Sequence, residues 1–206
     1  MKRLVNWRDT FYNSSFNEYH IKYICDKITR SIGGISLLRH STNISVLREV
    51  YYALINSYAR YGILVWGNAS EAALHPLKTL LNKAIRIMTF APFGPLDVES
   101  IYKELEFLTL QQTLTLERAK FIHKRDRGLL PAVIANYFDL EPSNTHNYNL
   151  RQRSGRSTFR ANTATGRKSI QCVGETLWRE LPQYLKAIDS PLTFKKFFKS
   201  YLIAAD

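Results

Sequence analysis

Apolar side chains recur every three or four residues along most of this chain, and that spacing constrains the fold more than any other feature. Ile21, Ile24, Ile28, Ile32 and Ile35 follow one another at steps of three and four. At 3.6 residues per turn such steps gather on one side of a helix. A half-buried strand needs alternation at every second residue, and neither that pattern nor an Asn-Gly hairpin dipeptide occurs. The expected fold class is mainly α: a helical bundle followed by smaller helices, with a long basic loop.

Caps and breakers divide the pattern. Asn17, with Glu18 behind it, is expected to cap the isoleucine helix, and Gly33-Gly34 is expected to bend it or to start a second one. Ser41-Thr42-Asn43 is a cap cluster. It leads into Val46, Leu47, Val50, Tyr51, Leu54, Ile55, Tyr58 and Tyr61, a helix expected to run to Trp66 and stop near Gly67, with its aromatics in the core. Ser70-Glu71 opens a third helix with the apolar stripe Leu74, Leu77, Leu81, Ala84, Ile85 and Met88, and Pro76 falls beyond the first turn where proline is comfortable. Ala91-Pro92-Phe93-Gly94-Pro95 is a break and the candidate boundary. Helices are expected from Asp97 to about Phe107, from Thr109 to Arg127 with Gly128 as terminator, and from Pro131 to near Phe138. Residues 144–168 are polar and read as a loop. Ile170, Val173, Leu177 and Trp178 mark a helix stopped by Pro182. Ser190 and Pro191 open the last one, with Leu192, Phe194, Phe197, Phe198, Tyr201 and Leu202 on its apolar side. The organisation is then an unassigned lead-in at 1–15, a bundle at 16–90, a helical segment at 97–138, a basic loop at 139–168 and a helical pair at 169–206.

Charge directs attention to the partners. The 206 residues include 29 Lys plus Arg against 17 Asp plus Glu, a formal net charge of +12. That surplus favours anionic partners, RNA or DNA first and an acidic membrane surface second. The plainer alternative is a basic domain that merely stays soluble. The longest apolar runs are a few residues, against about 20 for a membrane span, so no membrane partner is expected. Cys25 and Cys172 form no CxxC pair, which excludes a zinc knuckle within the chain and makes a reducing compartment the default. No apolar h-region follows Met1-Lys2-Arg3. The expected location is intracellular, cytoplasmic or nuclear, and not secreted.

No catalytic constellation emerges. His20, His40, His75, His123 and His146 are scattered and read as surface or capping residues; HExxH, GxSxG and GxGxxG are all missing. Gly166-Arg167-Lys168-Ser169 lacks the upstream glycine of a phosphate loop. No two aspartates are adjacent, as a two-metal site would require; Asp97 with Glu99, Glu104 with Glu106, and Asp139 with Glu141 read as caps or helix-face charges. Catalytic residues, metal and cofactor are all expected to be none. Two basic groups stand out. Lys78, Lys83 and Arg86 lie where no acid occurs between Glu71 and Asp97, and by themselves they read as a solvated face. Arg151, Arg153, Arg156, Arg160, Arg167 and Lys168 fall between Glu141 and Glu175 with no acid among them. Five of those six are arginine, whose planar fork takes phosphate in a bidentate way, and Tyr148 and Phe159 beside them can stack on unpaired bases.

Several segments, in order, resemble one family. Ser15-Phe16-Asn17-Glu18-Tyr19-His20-Ile21 is similar to a W-x-x-H-I opening, followed by Lys27-Ile28 and Ile32-Gly33. Tyr61-Gly62-Ile63-Leu64-Val65-Trp66-Gly67 resembles Y-G-x-x-V-W-G, the most specific element. Lys83-Ala84-Ile85-Arg86-Ile87 resembles K-A-I-R-I, and His146 to Arg151 resembles H-x-Y-x-T-R with leucine for threonine. Trp178-Arg179-Glu180-Leu181-Pro182, Phe194-Lys195 and Lys199-Ser200-Tyr201-Leu202 resemble a closing W-x-x-L-P, F-K and K-x-Y-L. Together, over about residues 15–203, these resemble the region after the palm in reverse transcriptases of non-LTR, LINE-type retrotransposons of the jockey and CR1 kind.

The resemblance implies a thumb-like bundle over residues 17–90 that grips template–primer through its backbone, with Lys78, Lys83 and Arg86 facing the duplex. The basic loop would be a second contact, to template RNA or target DNA. The family's aromatic-x-Asp-Asp palm motif, its fingers and its endonuclease have no counterpart here. The expectation is therefore a fragment, a truncated copy or a late-starting gene product, inactive alone, with Mg²⁺ belonging only to the missing palm. The upstream palm of a longer polyprotein is an expected partner. The alternative is a non-catalytic structural or protein-interaction remnant of a decayed element.

Overall fold

The computed structural model describes residues 14–91, 98–138 and 167–204, and every regular element among them is helical. The Asp97 cap and the loop residues from 139 to 166 lie outside the described residues. The chain divides into two compact units: residues up to Thr115 together with the chain from Leu202, and Leu116–Tyr201.

In the first unit, α1 (Ser14–Leu38) buries all five isoleucines of the expected stripe. It begins ahead of Asn17, which is therefore not a cap; its side chain is buried and its Oδ1 accepts no hydrogen bond. Nor does the helix end at Gly33-Gly34. Each glycine costs about 1 kcal/mol against alanine, less than burial of the flanking Ile32 and Ile35 returns.

The second expected helix is broken into short pieces. Asn43 caps α2 (Ile44–Tyr51), its side chain accepting from the Val46 amide at 3.0 Å. A π-turn at Tyr52–Asn56 follows, then α3 (Ser57–Arg60), a left-handed Gly62 and the single turn α4 (Ile63–Trp66). The spacing explains the interruption. Leu47, Tyr51, Ile55, Ala59 and Ile63 are all buried and fall at a constant step of four. In an unbroken α-helix such a step overshoots by about 40° each time, and the wider π-turn and the break at Gly62 take up the excess. Leu54, Tyr58 and Tyr61 consequently face solvent, against the expectation of a core role.

Gly67 ends this run under a close constraint. A Cβ there would collide with the Ile63 carbonyl oxygen and lie 2.9 Å from Leu114 Cδ1. Trp66 is buried beside it and donates its indole N–H to the Tyr61 carbonyl at 2.8 Å. The Tyr61–Gly67 element is thus a packing unit.

Ser70 caps α5 (Glu71–Thr89) by accepting from the Ala73 amide. Every residue of its expected stripe is buried, and the helix continues through Pro76 and packs along α1. The same core extends beyond the Ala91–Pro95 break. It takes in Tyr102 of α6 (Val98–Glu104), Phe107, and Leu110 and Leu114 at the start of α7 (Leu110–Asp126). Phe107 lies edge-on to Tyr51, with ring centroids 4.8 Å apart. Thr109 and Gln112 cap α7 reciprocally: the Thr109 amide donates to Gln112 Oε1 at 2.9 Å and the Gln112 amide to Thr109 Oγ1 at 3.3 Å.

In the second unit, α7 ends as expected at Gly128, with the Leu129 amide donating to the Lys124 carbonyl at 2.8 Å. The remaining helices are α8 (Ala132–Phe138), α9 (Ile170–Glu180), α10 (Gln183–Lys186) and α11 (Pro191–Ala204). The sequence pattern did not indicate α10. Helix α9 docks through Gly174, its fully enclosed residue, where a Cβ would sit 2.7 Å from Ile122 Cδ1; Ile170, Val173, Leu177 and Trp178 are only partly covered. On α11, Phe194 and Phe198 are buried, while Leu192 and Phe197 of the expected apolar side are exposed. His123 is fully buried, which corrects its assignment to the surface: its ring stacks on Phe194 at 4.3 Å and its Nε2–H donates to the Ile188 carbonyl at 2.6 Å.

Alanine substitutions at three glycines should separate by sign. Gly67→Ala and Gly174→Ala force contacts that must give way and should each destabilise by about 1–3 kcal/mol. Gly33→Ala, whose Cβ meets nothing within 4 Å, should stabilise by about 0.4–1 kcal/mol. Thermal melts read all three, and a neutral Gly67→Ala would contradict this packing.

Candidate nucleic-acid interface

The apolar side of α5 is spent on α1, so its polar groups project outward. Glu71 in the first turn pairs with Lys78, so the two charges partly offset each other in solvent. Past that pair the helix carries no acid. Lys83 is exposed and Arg86 half-buried. Lys83, Arg86 and Phe90 stand at steps of three and four, one above another on the same side.

Phe90 ends α5 in the left-handed region, at φ 55° and ψ 19°, yet is 55% exposed. The Arg39 guanidinium carbon lies 4.7 Å from its ring centroid, and the His40 ring meets it edge-on at 5.5 Å. Arg39 Nε–H donates to His40 Nε2 at 3.1 Å. The end of α1 therefore contributes Arg39 and His40 to the basic side of α5. Sequence spacing missed this group, because the pattern within one helix carries no information on which residue about fifty positions away ends beside it.

Arg167 and Lys168 belong to the second unit and are exposed immediately before α9. Ser169 occupies the cap position, but its buried Oγ makes no hydrogen bond. Tyr148, Arg151, Arg153, Arg156, Phe159 and Arg160 lie outside the described residues. The structure thus brings Lys83 and Arg86 together, diverts Lys78 to Glu71, and assigns Arg167 and Lys168 to a separate unit.

Several cations pair within the second unit. Arg125 pairs with Glu175, Lys120 with Glu117 and Arg127 with Asp189, while Arg127 also donates to the Lys186 carbonyl at 2.8 Å. Burial first and then Asp26 push the Cys25 thiol up from its ordinary value, which disfavours the thiolate. Among the described residues no group of three or more His, Cys, Asp or Glu is placed to hold a metal ion, and no helix is long and apolar enough to cross a membrane. Comparison with protein-family models, with curated proteins and with solved structures returns no match.

Helix α5 is tied to α6 by a buried phenol: Tyr102 O–H donates to Asn82 Oδ1 at 3.1 Å. Burial pushes Tyr102 far above the ordinary phenol value, and burial together with Tyr102 and Tyr52 does the same to Tyr51. A phenol whose folded value is raised contributes stability that is complete below its unfolded value, about pH 10, and is lost as pH rises beyond it. The melting temperature should hold up to about pH 9.5 and fall above about pH 10. Tyr102→Phe should soften that fall while costing about 1 kcal/mol at neutral pH. An identical alkaline profile for wild type and variant would contradict this.

Proposed function

We propose that this chain is a non-catalytic, nucleic-acid-binding part of a LINE-type reverse transcriptase, from the region that follows the polymerase palm. Its role is to grip the phosphate backbone of RNA, DNA or their hybrid while an upstream palm performs synthesis. The observation that carries the reading is the division of α5. One side is wholly apolar and buried against the bundle; the other, past the Glu71–Lys78 pair, carries Lys83 and Arg86 and no acid. The helical architecture, the net charge of +12 and the ordered family-like segments support it.

Binding of this kind releases counterions, so affinity should fall with salt. If the six basic residues from Arg151 to Lys168 all touch phosphate, they should contribute about −5 to the log–log slope on duplex. Replacing all six with glutamine should flatten the slope by that amount, and Lys83→Gln with Arg86→Gln should remove a further 1–2 units, roughly. Fluorescence anisotropy over a salt series measures both. Unchanged affinity and slope in the sixfold variant would remove the basic loop from the interface.

A protein-contact role is favoured by one observation in the second unit: Leu129, Val133 and Ile134 are exposed around α8. In this reading the unit docks on another protein, such as the palm. Self-association that Val133→Asp abolishes, in a chain whose affinity for nucleic acid is negligible at every salt concentration, would favour it over the backbone grip.

A further inference from the structure

We propose that Phe90 is a stacking platform for one unpaired base of a nucleic-acid strand, with Arg39 taking a phosphate beside that base and Lys83 a phosphate farther along the strand. This rests on the nucleic-acid reading above and adds to it a single-strand site that a backbone grip does not require.

Phe90 is costly where it stands. A helix end that turns left-handed ordinarily uses glycine or asparagine, because a Cβ there crowds the backbone. Phe90 accepts that strain and also leaves an apolar ring more than half in water. Strain of this sort persists where the surroundings impose it, and it gathers at functional positions. The ring here meets one cation and one imidazole. Arg39 lies over the ring and His40 braces it edge-on, while Lys83 and Arg86 rise along the same side of α5. The two helix ends that meet at Phe90 carry partial negative charge, which opposes an incoming phosphate. Arg39 and Lys83 bring positive charge to those ends.

The dimensions suit a short strand. Seven residues at 1.5 Å separate Lys83 from Phe90 along the axis, about 10 Å, which is the length of roughly three stacked nucleotides at 3.4 Å each. A base within a duplex is already stacked on both faces and has none to offer, whereas an unpaired base does. An aromatic face flanked by cations is therefore matched to single-stranded nucleic acid.

The test uses the full chain, labelled octauridylate and octathymidylate, and a duplex of matched charge. Phe90→Asn keeps a residue at ease in the left-handed region and removes the ring. Its helicity and melting temperature should match wild type within a few degrees, and its affinity for the single strands should fall roughly five- to hundredfold. Duplex affinity should change less than twofold, and Phe90→Tyr should restore single-strand binding. The tighter of the two oligonucleotides in wild type identifies the strand chemistry the site prefers. Wild-type binding that survives intact in Phe90→Asn overturns the platform and leaves the backbone grip standing. An equal loss on duplex and single strand also overturns it. A wild-type chain that binds no nucleic acid overturns both. If Phe90→Asn does not fold, Phe90→Tyr against Phe90→Leu decides: tyrosine retaining the affinity that leucine loses supports the platform, and equal affinities overturn it.

Discussion

The first unit depends on one contact, the isoleucine line of α1 against the apolar side of α5. Each fully buried Ile or Leu contributes about 1.5–3 kcal/mol. The local liabilities in these two helices, Gly33, Gly34 and Pro76, cost roughly 5 kcal/mol together. The five isoleucines alone outweigh that sum, so both helices persist through residues that would end them in isolation. The same contact fixes which side of α5 is left for charge. Once Leu74, Leu77, Leu81, Ala84, Ile85 and Met88 are committed inward, Lys83 and Arg86 have no apolar surface to return to.

Caps and stripes were legible because they are local. Asn43, Ser70, Thr109 and Gly128 stand at the ends of the helices their chemistry suggests. The interruption at Tyr52–Asn56 was not legible, since steps of four satisfy a helical pattern while drifting slowly around it; only the tertiary partner decides whether the backbone absorbs the drift. Asn17 misled because a cap residue type inside a longer helix looks the same as one at its start. His123 and Gly174 were missed for a common reason: burial between helices of the second unit is set by what lies opposite, Phe194 for one and Ile122 for the other.

The candidate site was half legible. Spacing and the lack of acids put Lys83 and Arg86 on one face, but only the family resemblance suggested a binding role for them, and the pairing of Lys78 with Glu71 depends on rotamers that spacing does not fix. Phe90, Arg39 and His40 needed the fold, because they meet only where two helices end together. The Tyr61–Gly67 element, the most specific of the family-like segments, is explained by packing alone: an indole N–H held by a carbonyl and a glycine where no Cβ fits. Resemblance at that element bears on architecture, and the proposed binding is argued from α5.

The measurement that tests the central claim most directly is photocrosslinking of the intact chain to a short single-stranded RNA carrying a photoreactive base, with the crosslinked peptides identified by mass spectrometry. The account predicts adducts on the peptide that contains Lys83, Arg86 and Phe90, competed away by unlabelled RNA and lost at high salt. Specific, salt-sensitive adducts confined to other segments, with none between residues 79 and 91, would contradict it.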